Sequence, residues 1–126
     1  MRETVRKLWP ELDWIRDSRL REQVTRTREL ALQRSPLSAD HLNRIPFTLL
    51  VPNRPTTFME HKPCVVHIAR EAAESMTEFM GKAPAIDHDM VIAGAIRADV
   101  GKLLECETLD AKAKQSNRGE LLRTSV

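Results

Sequence analysis

The pair of side chains in this sequence best suited to metal chemistry is His61 and Asp99. His61 lies near the start of a predicted helix, and Asp99 lies at the end of another, within "AGAIRADVGKLLE" (residues 93–105). If these two helices pack antiparallel, their ends meet, and an imidazole and a carboxylate could share a divalent ion. The alternative, hydrogen bonds from each side chain to backbone groups, is the commoner role of such residues.

The elements expected to position this pair are helices, because strand signals are sparse. The sequence has no Tyr and only three Phe, and no Asn-Gly or Asp-Gly turn joins alternating segments. A first long helix is predicted from a cap at Asp17 or Ser18 to about Arg34, before the break at Ser35-Pro36. The predicted fold class is all-α, a compact bundle of about 4–6 helices.

Two further predicted helices carry the pair. The second runs from about Glu60 to Met80, with Pro63 expected in its first turn, where no backbone donor is missed. The third runs from a cap at Asp87 or Asp89 to the break at Asp99. The buried face of the second helix is predicted from its helical spacing to consist of Val65, Val66, Ala69, Ala72, Ala73, Met76 and Phe79.

The chain of 126 residues is predicted to form a single domain, residues 1–126. A domain of this size buries roughly two thirds of the surface of its unfolded chain. Within it, residues 34–58 form a connector whose prolines exclude regular helix, while its apolar residues favour an ordered, extended path across the helices. Residues 106–126 form a polar tail.

The composition excludes several functional classes. The net charge is +2 with acidic and basic residues interleaved, and the arginines of the first long helix are interrupted by acids, so a solvated face is expected and nucleic-acid binding is not. No apolar run approaches the ~20 residues of a membrane span. Cys64 and Cys106 are too far apart in sequence for a CxxC metal site and are predicted to be reduced core residues of a soluble, cytoplasmic protein.

Two segments, "FMEHKPCVVHIAREAAESM" and "IDHDMVIAGAIRADVGKLLE", together resemble the HD-domain superfamily of metal-dependent phosphohydrolases. That family has an early helix His, a His-Asp pair before Gly-Lys, and a later His and Asp. The resemblance covers about residues 8–125, and its most specific piece is the Asp-Val-Gly-Lys break at 99–102.

Carried over by position, the resemblance implies His61 and Asp99 as metal ligands and Lys102 as a neighbour of the phosphate. Ala98 stands where the paired His is expected, Thr124 stands where the third His is expected, and the chain ends before the final Asp. A catalytic metal needs about three protein ligands, so two would hold it loosely. We therefore expect a vestigial site with no resident cofactor; any ion bound there would be Mn, Fe, Zn or Mg.

These observations favour a degenerate HD-domain protein that is non-catalytic and acts by binding or assembly. The alternative is a phosphohydrolase whose metal site is completed by a second subunit or by the phosphate of the substrate. A shortened core leaves apolar helix faces uncovered, which predicts a homodimer. The competing arrangement, in which the connector folds back over those faces, predicts a monomer. The sequence identifies no small-molecule ligand.

Overall fold

A computed structural model describes residues 1–45 and 56–105, and the elements it describes are helical, which confirms the all-α class. Residues 46–55 of the predicted connector (34–58) and the polar tail (106–126) lie outside the described residues. No helix in the described ranges is long and apolar enough to cross a membrane. The elements are α1 (Arg2–Leu8), α2 (Ser18–Arg34), α3 (Phe58–Met80), α4 (His88–Arg97) and α5 (Lys102–Glu105), with 3₁₀ helices at Pro10–Trp14 and Ala39–Asn43.

Helix α2 has the boundaries that the sequence predicts, because both are set by local chemistry. The Asp17 carboxylate accepts hydrogen bonds from the backbone N–H groups of Arg19 and Leu20, at 2.9 and 3.1 Å. These contacts satisfy two of the donors that a helix start leaves without a partner. At the other end, Ser35 is extended, as expected for a residue before proline.

Helix α3 begins earlier than predicted, because its cap is Thr57. The Thr57 hydroxyl accepts from the Glu60 N–H at 3.3 Å, and the Glu60 carboxylate accepts from the Thr57 N–H at 2.7 Å. This reciprocal capping box fixes Phe58 as the first helical residue. Pro63 therefore lies in the helix interior, and its predicted place in the first turn is wrong.

Helices α3 and α4 pack antiparallel, as predicted. At one end of the pair, the Thr77 hydroxyl lies 2.9 Å from Nε2 of His88. At the other end, Nζ of Lys62 lies 3.8 Å from Oδ2 of Asp99. The start of α3 and the end of α4 therefore meet. The core between the helices contains Val5, Trp9, Leu12, Ile15, Val24, Leu32, Leu37, Leu42, Ile45, Phe58, Val66, Ile92, Ala93, Ile96 and Leu103.

The predicted buried face of α3 is correct only in part. Val66 and Ala73 are buried, but Phe79 is 80% exposed. The physical reason is that α4 has ten residues against twenty-three in α3, and it covers only one side of the longer helix. We call the uncovered residues Ile68, Ala72, Met76 and Phe79 the α3 apolar face, since at about 100° per residue they project from one side.

Cys64 also lies away from the core. The sequence predicts a small buried residue here, but the side chain is exposed. Helical geometry explains the error, because the buried positions of α3 are Phe58, Lys62, Val66 and Ala73, and residue 64 points to the opposite side of the helix.

Candidate functional site

The three residues predicted for the site lie near the junction of α3, α4 and α5. His61 is the fourth residue of α3 and is half-buried, and its backbone N–H donates to the Thr57 carbonyl at 3.0 Å. Asp99 follows α4, and its side chain is 47% exposed. Lys102 is the first residue of α5, and its backbone N–H donates to the Asp99 carbonyl at 3.0 Å.

Asp99 adopts a left-handed backbone conformation with φ 57°, a position where the chain turns from α4 into α5. Asp tolerates this conformation better than most residues with a side chain, because its short polar group can hydrogen-bond locally. The break that the sequence predicts at this point is therefore present. Its backbone geometry holds the carboxylate at the edge of the helix bundle.

Lys62 is the residue at this site that the sequence interpretation missed. Its Nζ lies 3.8 Å from the Asp99 carboxylate, and its side chain is completely buried. A lysine in this position is usually solvated. The helical spacing of the core residues of α3, however, indicates that Lys62 is buried. Phe58, Lys62 and Val66 recur every four residues on the core side of α3.

Arg28 of α2 is a second buried cation at the same junction. Its Nη2 donates to the backbone carbonyls of Ile96 and Ala98, the latter at 3.2 Å. Its guanidinium also lies 4.5 Å from the centre of the Trp9 ring. Carbonyls at a helix C-terminus carry partial negative charge, so this contact stabilises the end of α4. The expectation that the arginines of α2 are all solvated is wrong for Arg28, whose side chain is fully buried.

Burial shifts the titration of both cations. It lowers the pKa of Lys62 to about 8; the charge of Arg28 acts in the same direction, and Asp99 opposes both. Burial also lowers the pKa of Arg28 to about 10, again against the attraction of Asp99. Two buried cations thus face one half-exposed carboxylate. We call these three residues the Arg28–Lys62–Asp99 cluster.

The surroundings of Asp99 are poorly suited to a divalent ion. Within residues 1–45 and 56–105, no group of three or more His, Cys, Asp or Glu side chains could hold a metal ion. The Lys62 ammonium already lies beside the carboxylate. A dication bound to the carboxylate would be repelled by this neighbouring positive charge.

The opposite end of the α3–α4 pair contains an open polar cleft of about 630 Å³. Arg70 and Trp14 line this cleft, and the Arg70 guanidinium lies 4.3 Å from the centre of the Trp14 ring. The Asp89 carboxylate on its wall accepts from the backbone N–H groups of Arg16 and Asp17, at 3.0 and 2.8 Å. These hydrogen bonds lower the pKa of Asp89. The Asp89 carboxylate therefore holds the residues just before α2 against α4.

Asp87 is the cap of α4, one of the two cap residues that the sequence predicts. Its carboxylate accepts from the Met90 N–H at 3.1 Å. Its neighbour His88 contacts the hydroxyl of Thr77. Both contacts serve the packing of α4 on α3 and lie at the end of α4 opposite to Asp99.

Comparisons of the chain with models of known protein families, with curated proteins and with solved structures give no match. The relationship to the HD-domain superfamily therefore stays a prediction from the sequence.

Proposed function

We propose that this protein is a degenerate, non-catalytic HD-like helical protein that acts by binding or assembly. The observation that carries the proposal is the buried ammonium of Lys62 beside Asp99. It supplies positive charge next to the carboxylate that a metal would otherwise use. A hydrolytic metal must also keep a coordination position open for water, and the bulk of a lysine side chain opposes that requirement.

Metal titration tests the non-catalytic part of the proposal. Calorimetry at pH 7 with Mn²⁺ and Zn²⁺ is expected to show no micromolar binding that depends on Asp99. Hydrolysis of a nitrophenyl phosphodiester is expected to be unaffected by these metals. Micromolar binding that disappears in Asp99→Ala, together with turnover that disappears in His61→Ala, would instead establish the phosphohydrolase alternative.

The α3 apolar face supports the assembly part of the proposal. Ile68 is 63% exposed, Met76 41% and Phe79 80%, and the adjacent Met80 is 57% exposed. With side chains of this size, the face offers roughly 500 Å² of surface per chain, so two copies meeting through it would bury about 1,000 Å², near the lower limit of specific interfaces. A second copy of this chain is therefore the occupant that we propose.

Light scattering coupled to size-exclusion chromatography tests this interface. We expect a species of about twice the 14.4 kDa chain mass. Phe79→Glu should convert it to a monomer, because a carboxylate would be buried without a partner. Met90→Glu places the same charge on an exposed methionine of α4 and should leave the dimer intact. A wild-type monomer, or equal effects of both variants, would contradict the proposed interface.

A further inference from the structure

We infer that the Arg28–Lys62–Asp99 cluster is a binding site for a small tetrahedral oxyanion, such as inorganic phosphate or the phosphoryl group of a small phosphomonoester. The site is distinct from a metal-dependent hydrolytic centre, because the positive charge comes from the side chains. It also goes beyond the proposed assembly function, since it concerns a ligand of the single chain.

The charge balance of the cluster favours an anion. Arg28 and Lys62 are both completely buried, while their shared counter-charge, Asp99, is half exposed to water and screened there. The cluster therefore carries one excess positive charge at neutral pH. Buried charges that lack a close partner destabilise a fold by several kcal/mol. A bound monoanion would neutralise the excess.

The hydrogen-bonding capacity of the two cations points the same way. Among the contacts of the described residues, Nζ of Lys62 and both Nε and Nη1 of Arg28 are buried and have no hydrogen-bond acceptor. Buried polar groups are nearly always hydrogen-bonded. The Lys62–Asp99 distance of 3.8 Å is an ion pair and is too long for a hydrogen bond. An oxyanion has several acceptor oxygens on a small body and fits this set of donors.

Asp99 marks the side from which a ligand would enter. It is the solvent-exposed member of the cluster, and its carboxylate competes with an incoming anion for Lys62. Removing the negative charge of Asp99 should therefore strengthen anion binding, which is the opposite of what a metal site predicts.

The test is calorimetric and thermal titration with phosphate in the presence of EDTA, at constant ionic strength balanced with chloride. We expect phosphate to raise the unfolding temperature of the wild-type protein. Lys62→Met should weaken binding by at least about tenfold, and Asp99→Asn should strengthen it several-fold. Lys82→Met removes an exposed lysine and should bind phosphate as the wild type does. Phenyl phosphate binding as tightly as phosphate would identify phosphomonoesters as ligands, and weaker binding would identify the free ion.

Three results would overturn the inference: a wild-type response equal to that in chloride, an undiminished response in Lys62→Met, or weaker binding in Asp99→Asn. These readouts involve neither metal nor dimer, so they fail or succeed independently of the proposed function. Unfolding can be followed by the fluorescence of the fully buried Trp9.

Discussion

Replacing Lys62 with methionine tests whether its buried ammonium destabilises the fold. Methionine has nearly the same length and no charge, so the substitution keeps the contacts of the stem and removes only the ammonium. Asp99 loses its partner but remains hydrated, because it is half exposed. In phosphate-free buffer, we therefore expect the variant to be more stable than the wild type.

The magnitude follows from the pKa of Lys62. Its ordinary value of 10.5 falls to about 8 in the folded chain, which corresponds to a net penalty of roughly 3 kcal/mol on the charged form. At pH 7 the lysine is still protonated, so most of this penalty is present. Replacing a whole buried ion pair with apolar residues is often neutral or stabilising by about 1–4 kcal/mol. The same reasoning applies to Lys62 alone, because Asp99, the partner that remains, is half exposed to water. We therefore expect Lys62→Met to raise the free energy of unfolding by about 1–3 kcal/mol.

The same shift predicts a pH dependence with a definite sign. Between about pH 8 and 10.5, the unfolded chain keeps a proton on Lys62 that the folded chain has released. The free energy of unfolding of the wild type therefore rises with pH in this window, while that of Lys62→Met lacks this increment. The chain has no tyrosine to titrate in the same range, which simplifies the comparison.

Urea unfolding at pH 7 and pH 10, followed by tryptophan fluorescence, measures both effects. Lys82→Met is the matched control and should differ from the wild type by less than about 0.5 kcal/mol. A variant that is less stable than the wild type at pH 7, with a deficit that does not change at pH 10, would refute the reasoning. It would mean that the ammonium has a strong partner within the chain.

Three further predictions concern single contacts. Arg28→Met should lower the free energy of unfolding by about 2–4 kcal/mol in urea titrations, because the carbonyls of Ile96 and Ala98 lose their donor; a neutral result would show that water replaces it. Thr57→Ala should cost about 1 kcal/mol in the same assay through loss of the α3 cap, and an unchanged midpoint would argue against the capping box. Asp89→Asn should reduce the loss of stability on acidification, since the lowered pKa of Asp89 contributes stability that is present above the ordinary Asp pKa and lost as the pH falls below it; identical acid unfolding curves would exclude this contribution.

The features predicted correctly from the sequence are those set by neighbouring residues. The Asp17 cap and the Ser35-Pro36 break fix both ends of α2 within a few residues of chain. The antiparallel contact of α3 and α4 follows from their short connection, since consecutive helices joined in this way usually pack together. The position of Asp99 at the end of α4 also follows from local sequence.

The features missed are those that depend on distant residues. Lys62 and Asp99 are thirty-seven positions apart, and the identity of the partner depends on the rotation of α3 about its axis. Burial of Arg28 depends likewise on the end of α4, which lies sixty-eight or more positions along the chain. A charged residue on an otherwise apolar helix face is the one local sign of such a site, and Lys62 shows it.

Stability and ligand binding should be coupled at Lys62. This coupling distinguishes a buried ammonium that binds a ligand from one that only destabilises the fold. A ligand present at 100 times its dissociation constant stabilises the folded chain by about 2.7 kcal/mol, which is close to the roughly 3 kcal/mol by which the buried ammonium is expected to destabilise it. With added phosphate, the wild type should therefore approach the stability of Lys62→Met, whereas the variant should respond less, because it binds phosphate more weakly. Unfolding curves that stay a constant distance apart at every phosphate concentration would show that the lysine destabilises the fold without serving this ligand. Convergence of the two curves would show that the ammonium is retained in the core to bind an anion.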